Sequence, residues 1–337
     1  MEPHNDSWIY SGSAKERLWN KSAIGKKIHD NDLLLSSSEV IFCHNHRHLD
    51  LPYKNWLYEE IKKKTNLINE AIVLESLRVP GNKVVLTENF TESGEELDYN
   101  KGTWGLRWSS NFHPRENLPE SEIRWFHSSD YIDFEELFSW TVDVVRKNRI
   151  AEVLIVDNEQ SVVTYNITSE NPRGDLTPPT ETDRILISKF NSVKISKGTL
   201  FYGYDEWPSE QLGIDYLDGR IIDHITEDYI ISEKIKYPEI TELFTDLLER
   251  GLHPRPGFKY GTKWRCYDKK IGLDHAPWLI VEPTKRKINW ESACLASRLA
   301  SGVNKIWLQP LKINEEWKYL GIIRPPANSR WTNPNKK

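Results

Sequence analysis

Residues 257–267 read GFKYGTKWRCY, and residues 274–281 read DHAPWLIV. These two stretches predict strands over Lys263–Tyr267 and Trp278–Val281, because each contains an apolar or aromatic run and a polar loop with one glycine separates them. Two strands so close together in the chain predict a small sheet near the C-terminus.

Helices are predicted on both sides of these strands. Residues 238–250 have apolar side chains at helical spacing, and a glycine follows them. Asn289 is a suitable N-cap for a second helix over Trp290–Ser301. Further strands are expected over Lys305–Leu311 and Trp317–Ile323. The order of these elements predicts a mixed α/β (α+β) fold, in which helices pack against a mixed sheet.

The same order of segments occurs earlier in the chain. Gly102–Trp108 parallels Gly261–Tyr267, and Ile132–Glu135 parallels Ile288–Glu291. In both cases a helix start is followed by an apolar strand. We therefore predict two tandem degenerate repeats, each with a small αβ N-terminal subdomain and a mixed-sheet C-terminal subdomain.

A polar segment, SENPRGDLTPPTETD at residues 169–183, separates the two halves. Its proline, glycine, threonine and charged residues are typical of a linker. The predicted domains are residues 1–170 for the first repeat, 171–183 for the linker, and 184–330 for the second repeat, whose subdomains cover about 184–236 and about 237–330.

Charge is distributed unevenly along the chain. The 337 residues have a net charge of −5, yet residues 251–337 contain 17 Lys and Arg and only six Asp and Glu. A basic C-terminal quarter on an acidic body is typical of a localised site for a polyanion, and a solvated basic face is the alternative.

The cellular compartment is predicted from what the sequence lacks. No apolar run is long enough to cross a bilayer, and the N-terminus has no secretory signal pattern. Three cysteines are too few for a disulfide framework and fit a reducing compartment. We therefore expect a cytoplasmic protein without a membrane partner.

The run CHNHRH at residues 43–48 is the one metal-like cluster in the sequence. Alternating histidines can bind zinc, but no second ligand pair follows at the spacing of a zinc finger. We predict an exposed helix end there and no metal site.

The second half resembles the archaeal tRNA-intron (splicing) endonuclease of the homodimeric, two-repeat type. The resemblance depends on residues 257–267, on His275 before an apolar strand, and on Arg298 and Lys305 in and after a helix. It extends from about residue 237 to residue 311 and is faint in the first half. It implies a nuclease-like catalytic subdomain in the second repeat.

The resemblance assigns a role to each of these residues. Tyr267 would be the general base, His275 the general acid and Lys305 the stabiliser of the transition state. Arg298 and, as a looser match in the last strand, Arg324 would bind a bulged base of precursor tRNA. Because RNA supplies its own 2′-hydroxyl nucleophile, the reaction needs no metal or other cofactor. The expected products carry a 2′,3′-cyclic phosphate and a 5′-hydroxyl.

The first half lacks these catalytic groups. Aligned on the repeat, the three catalytic positions fall at Trp108, at Glu122 and near Glu152, with Arg149 close by. The first repeat is therefore expected to be structural. Two chains would then form a homodimer with two active sites, which matches the two cuts needed to remove an intron at a bulge–helix–bulge.

An acidic turn in the first half is the candidate dimer contact. By the resemblance, Asp157 and Glu159 would dock into a basic groove of the opposite protomer. An ordinary charged hairpin turn is the alternative interpretation.

Two other functions fit parts of the pattern. A non-catalytic RNA-binding or structural subunit would lack at least one of the three catalytic residues, and all three are present. A metal-dependent nuclease would need clustered carboxylates near a lysine. The acids around this segment are Asp268, Asp274, Glu282 and Glu291.

Overall fold

A computed structural model describes residues 1–28, 31–89, 98–231, 236–283 and 287–325 of the chain. Helices and sheets alternate along these residues, so the predicted mixed α/β class is confirmed. The chain forms two compact units. The first unit comprises Met1–Thr168, Ile288–Cys294 and Ile323–Lys337, and the second comprises Ser169–Lys287 and Leu295–Ile322.

The segment expected to be a linker, residues 171–183, belongs to the second unit. The backbone N–H of Gly174 donates to the carbonyl of Arg250 (2.9 Å), and that of Leu176 donates to the carbonyl of Gly251 (3.1 Å). A Cβ on Gly174 would lie 2.3 Å from the Gly251 oxygen, so only glycine permits this approach. The linker prediction missed these contacts because backbone groups leave no mark in the composition.

Residues 288–294 belong to the first unit, although the predicted second repeat included them. The backbone N–H of Trp290 donates to the carbonyl of Asp130 (3.0 Å). The Trp290 ring stacks on Phe126, with ring centroids 5.1 Å apart. These contacts, rather than position along the chain, decide the unit to which the segment belongs.

The first unit begins with a small antiparallel sheet and the helices that pack on it. The helix after the fourth strand begins with a capping box, in which Ser36 accepts from the Glu39 N–H (3.2 Å) and Glu39 accepts from the Ser36 N–H (3.1 Å). The sheet order is β1-β2-β4-β3. The elements are β1 (Glu2–His4), β2 (Ser7–Tyr10), α1 (Lys15–Ser22), β3 (Lys26–Lys27), β4 (Leu33–Ser36), α2 (Ser37–Arg47), α3 (Trp56–Lys63) and α4 (Leu67–Arg78).

A second sheet of the first unit follows. Its strands pair in the order antiparallel, antiparallel, parallel and antiparallel, and a helix makes the crossover between the two parallel strands. The elements are β5 (Lys83–Leu86), β6 (Gly105–Trp108), β7 (Ser121–His127), α5 (Phe134–Arg146), β8 (Ile150–Val156) and β9 (Val162–Glu170).

The second unit also begins with a small antiparallel sheet, of order β10-β11-β13-β12. Its strands fall within the range predicted for the N-terminal subdomain of the second repeat, about residues 184–236. The elements are α6 (Glu181–Ser188), β10 (Asn191–Ile195), β11 (Gly198–Tyr202), β12 (Ile214–Tyr216), β13 (Gly219–Ile222) and α7 (His224–Ile230).

The larger sheet of the second unit has the same succession of pairings as β5 to β9. The predicted strands and helices are present with ends shifted by at most two residues, and Asn289 caps its helix by accepting from the Ser292 N–H (3.1 Å). The elements are α8 (Pro238–Glu249), β14 (His253–Pro256), a 3₁₀ turn (Phe258–Tyr260), β15 (Trp264–Tyr267), β16 (Trp278–Ile280), α9 (Trp290–Ser301), β17 (Ile306–Ile313) and β18 (Glu316–Ile323).

A buried ion pair crosses the larger sheet of the first unit. The Arg107 guanidinium donates twice to the Glu152 carboxylate, at 2.8 and 2.7 Å, and the Ser121 hydroxyl donates to the same carboxylate at 2.8 Å. Both charged side chains are almost completely buried. The Glu152 carboxylate therefore depends on Arg107 for charge compensation, and the guanidinium also contacts the Glu120 carboxylate at 3.3 Å.

Removing one partner of this pair should destabilise the first unit strongly. We expect Arg107→Ala to lower the free energy of unfolding by about 3–5 kcal/mol, because it leaves the Glu152 carboxylate buried without its cation. Urea unfolding followed by circular dichroism measures this loss. The double variant Arg107→Met with Glu152→Leu should lose much less, and an equal loss would contradict the explanation by charge.

Candidate active site

The ends of three strands meet at one end of the larger sheet in the second unit. Cys266 of β15 pairs with Trp278 of β16, which pairs in parallel with Ile306 of β17. One step toward the strand ends, the register aligns Tyr267, Pro277 and Lys305. The Ile306 N–H donates to the Pro277 carbonyl at 2.9 Å and fixes this alignment.

The Lys305 side chain is hydrogen-bonded to the chain segment that carries His275. The Lys305 side chain is 9% exposed, and its ammonium donates to the carbonyl of Ala276, the residue after His275. The ammonium also lies 5.8 Å from the centroid of the Tyr260 ring. The lysine charge is thus fixed at the strand ends.

His275 is exposed just before β16. Its backbone N–H donates to the Asp274 carboxylate at 2.8 Å. This hydrogen bond and the nearby Lys269 ammonium lower the pKa of Asp274, so the carboxylate remains ionised and keeps the turn in place. The imidazole is therefore exposed to solvent on a residue whose backbone N–H is hydrogen-bonded.

Tyr267 lies on the face of the sheet opposite the core. Its neighbours Trp264 and Cys266 are buried in the core of the second unit. The Arg265 guanidinium carbon lies 5.7 Å from the centroid of the Tyr267 ring. On the adjacent strand, the His253 ring makes an edge contact with Tyr267 at a centroid distance of 6.4 Å.

His253 is a residue of this site that the sequence analysis missed. It is 3% exposed, and its Nε2 has no hydrogen-bond partner among the described residues. Burial, and then the charges of Arg255 and Arg220, lower the pKa of His253 to about 3. His253 is therefore neutral near pH 7 and packs against Tyr267. The sequence signal that could have identified His253 was its position four residues before the motif at residues 257–267.

The two arginines predicted to bind a base have different settings. Arg298 is exposed in the last turn of α9 and belongs to the second unit. Arg324 was expected in the last strand, but β18 ends at Ile323, and Arg324 is exposed just beyond it in the first unit. Burial raises the pKa of the Cys294 thiol to about 11, and a hydrogen bond with Tyr165 and then the Arg324 charge partly oppose this rise.

The acidic turn at residues 157–159 joins β8 to β9. The Asp157 carboxylate accepts from the backbone N–H groups of Glu159 (2.9 Å) and Ser161 (2.8 Å). Asp157 is therefore used to close its own hairpin, whereas the Glu159 side chain is exposed.

The run at residues 43–48 forms the C-terminal end of α2. His44 Nδ1 contacts the carbonyl of Leu49 (2.8 Å), and His46 Nε2 contacts the Glu75 carboxylate (2.8 Å). Cys43 is buried. Within the described ranges, no group of three or more His, Cys, Asp or Glu side chains is arranged to hold a metal ion.

Across the part of the chain that the structure describes, none of the helices has the length and apolar character needed to cross a bilayer.

Comparison with known proteins matches the region that contains these strand ends. Residues 239–316 match the family described as tRNA intron endonuclease, catalytic C-terminal domain. The tRNA-splicing endonuclease of Thermoplasma volcanium is 37% identical over 83 residues, which are 25% of this chain and 28% of that protein. That of Hyperthermus butylicus is 32% identical over 77 residues, which are 23% and 42% of the two chains.

A longer match is found with the tRNA-splicing endonuclease of Picrophilus torridus. It is 28% identical over 134 residues, which are 40% of this chain and 44% of that protein. The chain thus spans less than half the length of each of these three curated relatives.

The resemblance of the second half to tRNA-splicing endonucleases is therefore confirmed over the matched residues. The matched residues include Tyr267, His275, Arg298 and Lys305. Arg324 lies beyond them.

The buried His253 should make the stability of the protein depend on pH. Its pKa is about 3 in the folded chain and about 6.5 when unfolded, so below pH 6.5 the unfolded chain binds a proton that the folded chain does not. The stability that depends on neutral His253 is then fully present above pH 6.5 and is lost as the solution is acidified. We expect this group to remove about 3 kcal/mol of unfolding free energy between pH 7 and pH 4.

Urea unfolding at pH 7, 5.5 and 4 tests this expectation. His253→Leu should lose much less stability on acidification than the wild type. His275→Ala, which removes an exposed imidazole, should keep the wild-type pH dependence. An unchanged pH dependence in His253→Leu would contradict the proposed burial of a neutral imidazole.

Proposed function

We propose that the protein is a tRNA-splicing endoribonuclease that excises introns from precursor tRNA at bulge–helix–bulge motifs without a metal ion. The observation that carries this proposal is the alignment of Tyr267 and Lys305 at the same end of the sheet, on either side of the segment that leads into β16. Lys305 is hydrogen-bonded to that segment beside His275, inside the region matched to the endonuclease domain. These residue types suit the cleavage of RNA by its own 2′-hydroxyl.

In the proposed reaction, Tyr267 acts as the phenolate and accepts the proton of the ribose 2′-hydroxyl. The 2′-oxygen then forms a bond to phosphorus, and the bond from phosphorus to the 5′-oxygen breaks. His275 donates a proton to the departing 5′-oxygen, while the Lys305 ammonium stabilises the negative charge on the phosphorane. The products are a 2′,3′-cyclic phosphate and a 5′-hydroxyl.

A base-binding role is proposed for Arg298 on the exposed surface of α9. A guanidinium plane can stack on an unpaired base, and the bulges of the substrate supply such bases. Arg324, which is also exposed, is a second candidate for the same role.

The matching strand pairings support the proposal that the two halves are degenerate repeats. In each larger sheet, one residue of the second strand pairs with one residue of the third strand. That residue of the third strand also pairs, in parallel, with one residue of the fourth. The corresponding sets are Arg107, Ser121 and Ile150 in the first unit, and Cys266, Trp278 and Ile306 in the second.

This register changes two of the three equivalences expected from the sequence. Tyr267 still corresponds to Trp108, but Lys305 corresponds to Arg149 rather than Glu152. His275 corresponds to Leu118 rather than Glu122. The sequence alignment slipped because loops of different length precede the third strand in the two halves.

The first unit has no base, acid or available cation at these positions. Trp108 is buried and donates its indole N–H to the carbonyl of Asn117 (2.9 Å), and Leu118 is exposed. Arg149 is paired with the Glu122 carboxylate at 2.8 Å. These contacts support a structural role for the first repeat, with catalysis by the second.

A homodimer follows from this assignment, since one active repeat per chain needs two chains for two symmetric cuts. We propose that the exposed Glu159 at the acidic turn docks into a basic groove of the second copy. The three cysteines are free thiols, which suits the proposed cytoplasmic location.

A cleavage assay with a bulge–helix–bulge RNA tests the catalytic proposal. The wild type should cut in EDTA and leave a 2′,3′-cyclic phosphate, detected by mass spectrometry. His275→Ala and Tyr267→Phe should slow cutting by about 10²- to 10⁴-fold, because each loses a proton-transfer group.

Tyr202→Phe provides the matched control, since it removes an exposed hydroxyl from β11 in the same unit. It should cut at the wild-type rate. Loss of cutting in EDTA with recovery on adding magnesium would instead favour a metal-dependent nuclease, and unimpaired cutting by His275→Ala would refute its role as the acid.

Sedimentation equilibrium tests the dimer. The wild type should sediment as a dimer at micromolar concentration, and Glu159→Lys should weaken the dimer because it reverses the docking charge. Glu116→Lys, at another exposed turn of the first unit, should leave the dimer intact. Equal weakening by both variants would point to net charge rather than to docking of this turn.

A further inference from the structure

Two arginines face each other directly across strands β14 and β15. Arg255 pairs with Arg265, next to the pair formed by His253 and Tyr267. Because alternate residues of a strand share a face, Arg265 lies on the same face as Tyr267, away from the core. The pair is thus a neighbour of the proposed catalytic tyrosine.

The described residues give this arginine pair little negative charge. Arg255 donates to the carbonyl of Gly213 at 2.7 Å. Arg265 lies over the Tyr267 ring, and its Nε is buried without a hydrogen-bond acceptor among the described residues. Neither has an ion pair with a carboxylate in the part of the chain that the structure describes.

A third arginine increases the positive charge. Arg220 is buried close to Arg255, and its ion-pair partner is Asp215, at 2.8 Å, whose side chain is 81% exposed. The next acid, Glu210, is paired with Lys270 at 2.8 Å. Burial and the Arg220 charge lower the pKa of Arg255, which means that its positive charge is poorly stabilised there.

Such an arrangement of positive charges costs stability. Like charges at directly opposite positions of a sheet repel each other, and a buried guanidinium nitrogen without an acceptor loses a hydrogen bond. An anion between the two guanidinium groups would remove both costs. A phosphate suits the position, because the planar donor fork of arginine matches phosphate oxygens.

We propose that Arg255 and Arg265 form a phosphate-binding subsite for the RNA backbone. Resting on the proposed function, this inference adds a substrate contact outside the residues assigned to catalysis. Arg265 precedes Tyr267 by two residues, or about 7 Å along the strand. The subsite therefore holds a phosphodiester that neighbours the cleaved one, and it aligns the reacting 2′-hydroxyl with Tyr267.

The acidic turn of a second copy is the other source of negative charge. The structure favours RNA for two reasons. The Asp157 carboxylate already accepts two backbone hydrogen bonds within its own hairpin, so the turn would offer only the single carboxylate of Glu159 to the two arginines. The Arg265 guanidinium also lies against the ring of Tyr267, where the RNA must be bound for the reaction.

The salt dependence of RNA binding tests the subsite. The probe is a bulge–helix–bulge RNA with 2′-deoxyribose at both cleavage positions, which binds but cannot react. Binding constants are measured from 50 to 300 mM KCl. The plot of log K against log salt has a negative slope, and each lost phosphate contact reduces the size of that slope by about 1.

Arg255→Gln and Arg265→Gln should each reduce the size of this slope by about 1. Arg255→Lys should leave the slope unchanged, since the cation remains. Arg146→Gln provides the control, because it removes an exposed arginine from α5 of the first unit and should leave the slope unchanged. Two separate Gln variants keep the test decisive if one of them folds poorly.

Unchanged slopes in both Gln variants overturn the subsite. An unchanged slope with a dissociated dimer, measured by sedimentation, assigns the arginines to the second copy and also overturns it. Cleavage of the all-ribose RNA by the wild type is scored separately. The proposed function can thus stand while the subsite fails, and a wild type that neither binds nor cuts the RNA refutes both.

Discussion

The parallel pairing of β16 with β17 is the constraint on which the candidate site depends. Parallel neighbours begin at the same end of a sheet, and the chain needs a crossover to return to that end. Helix α9 makes this crossover. The hydrogen bond from Ile306 to Pro277 then fixes Lys305 beside the segment that carries His275. Antiparallel pairing of β15 with β16 brings Tyr267 to the same strand ends.

The two units use charge in different ways within the same order of strands. In the first unit, the apolar pair Val85 and Leu106 lies at the positions of Arg255 and Arg265, and Arg149, at the position of Lys305, is paired with Glu122. In the second unit, Arg255 and Arg265 face each other, and His253 is held neutral beside them. Internal pairing stabilises a fold, whereas unpaired positive charge near a cleft attracts anions. The difference fits the structural role proposed for the first repeat and the RNA-binding role proposed for the second.

Much of the second unit could be predicted from local patterns. The helix over Trp290–Ser301 was found from its cap and its spacing, and β15 and β16 from their apolar runs. The contacts of residues 171–183 were not found, because they depend on backbone groups that every residue carries. His253 was missed for a related reason. A histidine in a strand shows neither its burial nor the arginines around it until the chain is folded.

The sequence by itself determined the alternating elements, the basic C-terminal quarter and the motif that carries Tyr267, His275 and Lys305, since spacing and residue type are local properties. Only the tertiary structure decided which residues lie at the same strand ends and which charged side chains form ion pairs. It also decided to which unit Arg324 and residues 288–294 belong. Those outcomes depend on strand register and burial. Both arise from contacts between distant segments, which no local pattern records.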